Sequence, residues 1–129
     1  MNEKRITGDI GEDFAVKYFE KRGYKILERN YHSRYGEIDI IAQDDQFIVF
    51  IEVKARKSFS RVSPAEAVDY AKQKKICLTA MKYITETECE LQPRFDVFEL
   101  WLNEGRIYKF NHIEYAFEGI DFDGSYELF

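Results

Sequence analysis

The sequence predicts a mixed α/β domain in which helices pack on a sheet. Three observations predict it. Residues 7–22 and a stretch from Ser63 to about Thr85 carry apolar side chains at helical spacing. Runs at 24–31, 36–54, 94–102 and 106–110 are apolar or alternating and rich in β-formers. With 45% hydrophobic and 33% charged residues and two prolines, the 129 residues have the balance of one ordered domain able to bury a core. The order is helix, three strands, helix, strand, closing strand. Residues 119–129 form an acidic, aromatic tail to that single domain.

The first helix is expected to take Thr7 as N-cap and Gly23 as its C′ residue, with Ile10, Phe14, Ala15, Tyr18 and Phe19 on its apolar side. Glu12 lies along the margin of that stripe. Strand 24–31 follows, and His32-Ser33-Arg34-Tyr35-Gly36 leads into a hairpin over 36–54. The second helix has a capping-box signature, Ser63 as N-cap, Pro64 at N1 and Glu66 at N3. Strand 94–102 turns through Asn103-Glu104-Gly105 into the closing strand. From Asn111 onward the pattern decides nothing.

The hairpin GEIDIIAQDDQFIVFIEVK carries the chemistry. A two-residue loop at Asp45-Gln46 sets Asp44 against Phe47 and Asp39 against Glu52. Side chains alternate along a strand, so Asp39, Glu52 and Lys54 then share one face. Opposed like charges repel, and buried charges are costly unless paired or metal-bound. A divalent cation between the two carboxylates resolves the conflict. The plain alternative is a partly exposed face with a Glu52–Lys54 neighbour pair.

Charge is unevenly spread along the chain. Residues 1–82 hold 16 lysines and arginines against 13 acids, whereas 83–129 hold 3 against 11. With Glu12, Asp39 and Glu52 assigned to a cation site, the first part presents a basic surface suited to phosphate. Candidate contacts to nucleic acid are Arg34 and Tyr35 before the hairpin, Arg56 and Lys57 after it, and Lys72, Gln73 and Lys75 on the second helix. No Gly-rich phosphate loop follows the first strand. No apolar run reaches membrane length and MNEKRITGDIGEDF has no apolar signal region, so a cytoplasmic protein without membrane association is expected. Cys77 and Cys89 have no zinc-type spacing and are expected as reduced thiols. His32 and His112 are assigned no chemistry.

A helix glutamate, then an aspartate, then Glu-x-Lys on successive strands resembles the PD-(D/E)XK restriction-endonuclease-like nucleases. Within that class the chain is similar to the YraN-like family of predicted endonucleases, themselves similar to Holliday-junction resolvases. The stretches that carry the resemblance are GEDFA at 11–15, GEIDIIA at 36–42, FIEVKAR at 50–56, AKQKKI at 71–76, RFDVFEL at 94–100 and HIEYAF at 112–117. The resemblance implies a restriction-endonuclease-like αβββαβ core, a mixed central sheet flanked by helices. It implies Mg²⁺ or Mn²⁺ held by Asp39, Glu52 and the Val53 carbonyl. Lys54 would orient water or neutralise charge, with Glu12 completing the catalytic set. The implied substrate is DNA, branched or otherwise a repair or recombination intermediate, and the implied assembly is a homodimer. The alternative is a non-catalytic nucleic-acid-binding module that keeps the nuclease fold.

Overall fold

The computed structural model describes residues 3–57 and 68–118. The elements are α1 (Glu3–Lys21), β1 (Lys25–Ser33), β2 (Gly36–Gln43), β3 (Phe47–Lys57), α2 (Tyr70–Thr87), β4 (Gln92–Asn103) and β5 (Arg106–Phe117), in the order the sequence predicts. The strands form one mixed sheet, β1-β2-β3-β4-β5, in which β3 and β4 are parallel and every other pair is antiparallel. The β3–β4 crossover contains α2, as a parallel connection requires.

Each helix covers one face of the sheet. Ala15 and Phe19 of α1 pack on Ile40, Ala42, Val49, Ile51, Phe98 and Leu100. Ile76, Cys77, Ala80 and Tyr83 of α2 pack on Ile38, Ile41, Ile48, Phe50, Phe95 and Val97. The central strands are therefore apolar on both sides, which explains their nearly continuous hydrophobic runs. A Cβ on Gly11 would lie 3.1 Å from Leu100 Cδ1 and 3.2 Å from Ala55 Cβ, so this glycine sets how closely α1 approaches the sheet.

Several boundaries differ from expectation. α1 begins a turn before Thr7, which is therefore interior and not a cap, because Glu3-Lys4-Arg5-Ile6 contains nothing that stops a helix. Gly23 does end it, at φ +87°. The box of Ser63, Pro64 and Glu66 lies outside the described residues; α2 starts at Tyr70, and Asp69 is its N-cap, accepting from the Lys72 N–H at 2.9 Å. Val68, expected inside the helix, precedes it and is buried. β5 runs on to Phe117, so residues 111–117 continue the sheet. No disulfide joins Cys77 and Cys89. Among the described residues no helix is long and apolar enough to cross a membrane.

Candidate active site

The β2–β3 hairpin has the predicted register. Gln43 pairs with Ile48, Ala42 with Val49, Ile41 with Phe50 and Ile40 with Ile51. Asp44 closes the loop: its N–H donates to Phe47 O, and its carboxylate accepts from the N–H groups of Gln46 and Phe47. The next pair in register is Asp39 with Glu52, and there the ladder stops. Asp39 turns its carboxylate onto the main chain instead, and Oδ2 accepts from the Val53 N–H at 2.8 Å. One side chain thus replaces a strand-to-strand bond, so Asp39 is fixed against β3 where Glu52 and Lys54 project.

Glu52 is 8% exposed and receives two ammonium groups on one oxygen, Lys72 Nζ at 2.6 Å and Lys54 Nζ at 3.2 Å from Oε1. Lys72 reaches it from the first turn of α2, which Asp69 caps, so the hairpin and the helix meet at this carboxylate. The electrostatics follow from crowding. Burial and the nearby Glu52 carboxylate push the Asp39 carboxyl up to about 7, against the Val53 N–H and Lys72, which lower it. Burial, then the neighbouring Lys72, lowers the Lys54 ammonium. For Lys72 burial pulls down most strongly, but its bond to Glu52, the neighbouring Lys54 and the charges of Glu52 and Asp39 together raise it.

Glu12 is also only 8% exposed, deeper than the margin of a helical stripe suggests. Its Oε1 accepts from Arg29 Nε at 3.1 Å and from Asn30 Nδ2 at 3.0 Å. Its charge is close enough to contribute to raising Asp39. Sequence reasoning did not connect Arg29 or Asn30, which hold Glu12, with that residue.

Among the described residues no group of three or more His, Cys, Asp or Glu side chains is arranged to hold a metal. The donor set that does converge is Asp39 and Glu52 beside the Val53 main chain. Two carboxylates with a carbonyl, the remaining positions left to water and substrate phosphate, is the pattern Mg²⁺ accepts. The raised Asp39 carboxyl, pushed up first by burial and then by the Glu52 charge, is a group whose ionised form such a cation would favour. The residues fit the group.

The predicted phosphate contacts separate into distinct settings. Lys72 belongs to the carboxylate cluster. Lys75 lines a cavity of about 350 Å³ with Lys72, Gly36, Glu37, Asp69 and Ile76. Arg34 and Tyr35 form the tip of the β1–β2 turn, the Arg34 guanidinium 2.6 Å from the Tyr35 hydroxyl, beside Leu78, Met81 and Lys82 of α2. The turn is pinned to α2 by Ser33 Oγ and Thr79 Oγ1 at 2.9 Å and by Gly36, whose missing Cβ would meet Lys75 Cβ at 3.3 Å. Arg56 carries a buried Nε without a hydrogen-bond partner among the described residues. Lys57 ends β3. Half-buried Gln73 donates from Nε2 to Val68 O at 2.9 Å and so braces the start of α2.

His112, assigned no chemistry, sits in a buried network. Fully buried Asp96 takes two bonds from Arg94, both 2.9 Å, and lies 2.6 Å from His112 Nε2; His112 Nδ1 is 3.1 Å from the Tyr18 hydroxyl, and Arg94 donates to the Tyr24 hydroxyl at 2.9 Å. The signal that locates half of it is the spacing Arg94-x-Asp96, which puts both charges on one face of β4. This network ties β4 and β5 to α1 and lies on the α1 face, opposite the Asp39–Glu52 cluster.

The chain is similar to known sequences along most of its length. The model of the uncharacterised protein family UPF0102 matches residues 11–100. A UPF0102 protein of Caldanaerobacter subterraneus subsp. tengcongensis is 46% identical over 117 residues, covering 88% of this chain and 96% of the relative. Relatives from Alkaliphilus oremlandii and Clostridioides difficile, both described as UPF0102 proteins, are each 47% identical, covering 91% of this chain and all of theirs. The matched span takes in Glu12, Asp39, Glu52, Lys54 and Lys72.

Proposed function

The chain belongs to the UPF0102 family, and from that premise we propose that it is a divalent-metal-dependent nuclease hydrolysing DNA phosphodiester bonds. The observation that carries the reading is a half-buried Asp39 held on the Val53 N–H, near enough to Glu52 to feel its charge, with ammonium groups from β3 and α2 on Glu52. The αβββαβ order supports a restriction-endonuclease-like core. Branched or interrupted DNA is the substrate the resemblance favours.

Asp39, Glu52 and the Val53 carbonyl would hold Mg²⁺ or Mn²⁺, which when bound polarises a phosphoryl oxygen and makes water a better nucleophile. The chain's own groups do the rest. The Val53 N–H fixes the Asp39 carboxylate, so the donor set is oriented before anything binds. Lys54 stands beside Glu52 as a point charge for the developing negative charge of the reacting phosphate. Glu12, held by Arg29 and Asn30, adds negative charge at the margin.

Purified protein with Mn²⁺ should nick a four-way DNA junction, and Asp39→Ala or Glu52→Ala should lower the rate by more than about 10²-fold, beyond what supporting residues contribute. Equal nicking by wild type and both variants identifies a contaminant. A second reading, a binding module that grips DNA without cutting, is favoured by one observation: Glu52 is already neutralised by two lysines. It predicts salt-sensitive DNA binding that survives both substitutions and no nicking by any of the three proteins.

A further inference from the structure

We infer that Lys72 is an exchangeable counter-ion for the candidate cation site: its ammonium group neutralises the Asp39–Glu52 pair before a divalent cation enters, and entry of the cation releases it towards phosphate. This deepens the cation reading of the same site and rests on it.

Four observations lead there. Lys72 Nζ lies 2.6 Å from Glu52 Oε1, closer than the 3.2 Å of Lys54, although Lys54 is the neighbour on the same strand face. The two ammonium groups therefore share one carboxylate oxygen, an oxygen that a divalent cation would also need. The two lysines are not equally held: the Lys72 side chain is 38% exposed and that of Lys54 22%. Finally, Lys72 lines the cavity that also has Lys75 at its wall, so a displaced Lys72 has space beside it and a cationic neighbour with which to share a phosphate.

Two like charges on one carboxylate oxygen is an arrangement that a divalent ion alters. It brings positive charge to the carboxylates and repels both ammonium groups, of which Lys72 is the more exposed. Lys54 stays on the sheet face, while Lys72 moves on its flexible stem from a helix whose N-terminus is fixed by Asp69. Cation uptake and the gain of a phosphate-binding group then become one event. Without the cation the carboxylate pair is kept neutral, and the phosphate grip strengthens when the cation is in place. Lys72 on this account is a positioning residue with two positions.

The test uses the full-length protein and Mn²⁺ alone, with DNA absent and free Mn²⁺ followed by electron paramagnetic resonance. Lys72→Met, which keeps the stem and removes the charge, should bind Mn²⁺ on the order of tenfold more tightly than wild type, since one competitor is gone. Lys72→Gln provides the same comparison if the Met variant does not fold, and Lys72→Arg should stay near wild type. A crystal of the wild type soaked in Mn²⁺ should show Lys72 Nζ out of bonding reach of Glu52. Unchanged or weaker Mn²⁺ binding by the neutral variants overturns the inference, as does a bound ion with the Lys72–Glu52 bond intact. If no protein binds Mn²⁺, the inference and the cation reading fall together. Tightened binding with no nicking by the wild type leaves the exchange standing and sinks only the nuclease reading.

Discussion

At the scale of single residues, the distinctive group is Asp39. The folded protein holds its carboxyl up to about 7, from an ordinary 3.8, because burial and the Glu52 charge both oppose ionisation. In the unfolded chain the group loses its proton near the ordinary value. Between the two values the folded state binds more protons, so the stability this group contributes is complete at low pH and is lost as pH rises towards 7. Asp39→Asn keeps the acceptor for the Val53 N–H and removes the titration. In denaturant titrations with EDTA present, the variant should gain on wild type by on the order of 1–3 kcal/mol at pH 8 relative to pH 4. Parallel stability curves across that range would refute the crowding of Asp39 and Glu52. The site was legible in sequence where chemistry sits in one local motif. Alternation along β3 is enough to place Glu52 and Lys54 on one face, but Ile38 and Ile41 of β2 pack on the α2 side and Ile40 on the other, so alternation alone does not fix Asp39. Lys72 was legible as a cation but not as a partner of Glu52, since that depends on where a helix from a distant stretch lands. Gln73 illustrates the converse, a residue in a charged run that the fold turns onto its own backbone.

At the scale of elements, the sheet holds the cluster through its neighbours. Asp96 on β4 is fully buried and accepts from Arg94, while His112 of β5 and the Tyr115 N–H close around it. Removing that carboxylate strands a buried guanidinium. Asp96→Ala should therefore destabilise the protein by about 3–5 kcal/mol, the range for breaking a buried ion pair by deleting one partner. Thermal unfolding of the variant measures it; a loss below about 1 kcal/mol would show the network to be solvated. The element order and the hairpin register could be read from periodicity and turn chemistry, both local. Boundaries could not where two local signals compete: an Asp69 cap against the Ser63 box, or a run of helix formers against the Thr7 cap. The extension of β5 through Phe117 was illegible because the burial of an edge strand alternates poorly, and its partner β4 supplies the order.

At the scale of the whole molecule, the proposed DNA substrate is polyanionic, and a protein of net charge −5 would have to meet it with one side. Ser33–Thr79 and Gly36 dock the β1–β2 turn onto α2, so that Arg34 lies beside Leu78, Met81 and Lys82 while Lys72 and Lys75 line a separate cavity nearer the start of the helix. Lys109, by contrast, lies on β5 at the other edge of the sheet, over the Trp101 ring at 4.6 Å. Binding through phosphates releases counter-ions in proportion to the contacts made, so each true contact shows in the salt dependence of affinity. Arg34→Ala and Lys75→Ala should each lower the slope of log affinity against log salt by about one, with little change between DNA sequences. Lys109→Ala should leave the slope unchanged despite removing the same charge. The comparison separates a directed surface from bulk electrostatics: if all three variants shift the slope alike, net charge governs binding and the turn–helix face has no special claim. If only Arg34 and Lys75 do, the docking of a short turn on α2 has made a DNA-facing side on an acidic protein, next to the carboxylates of the hairpin.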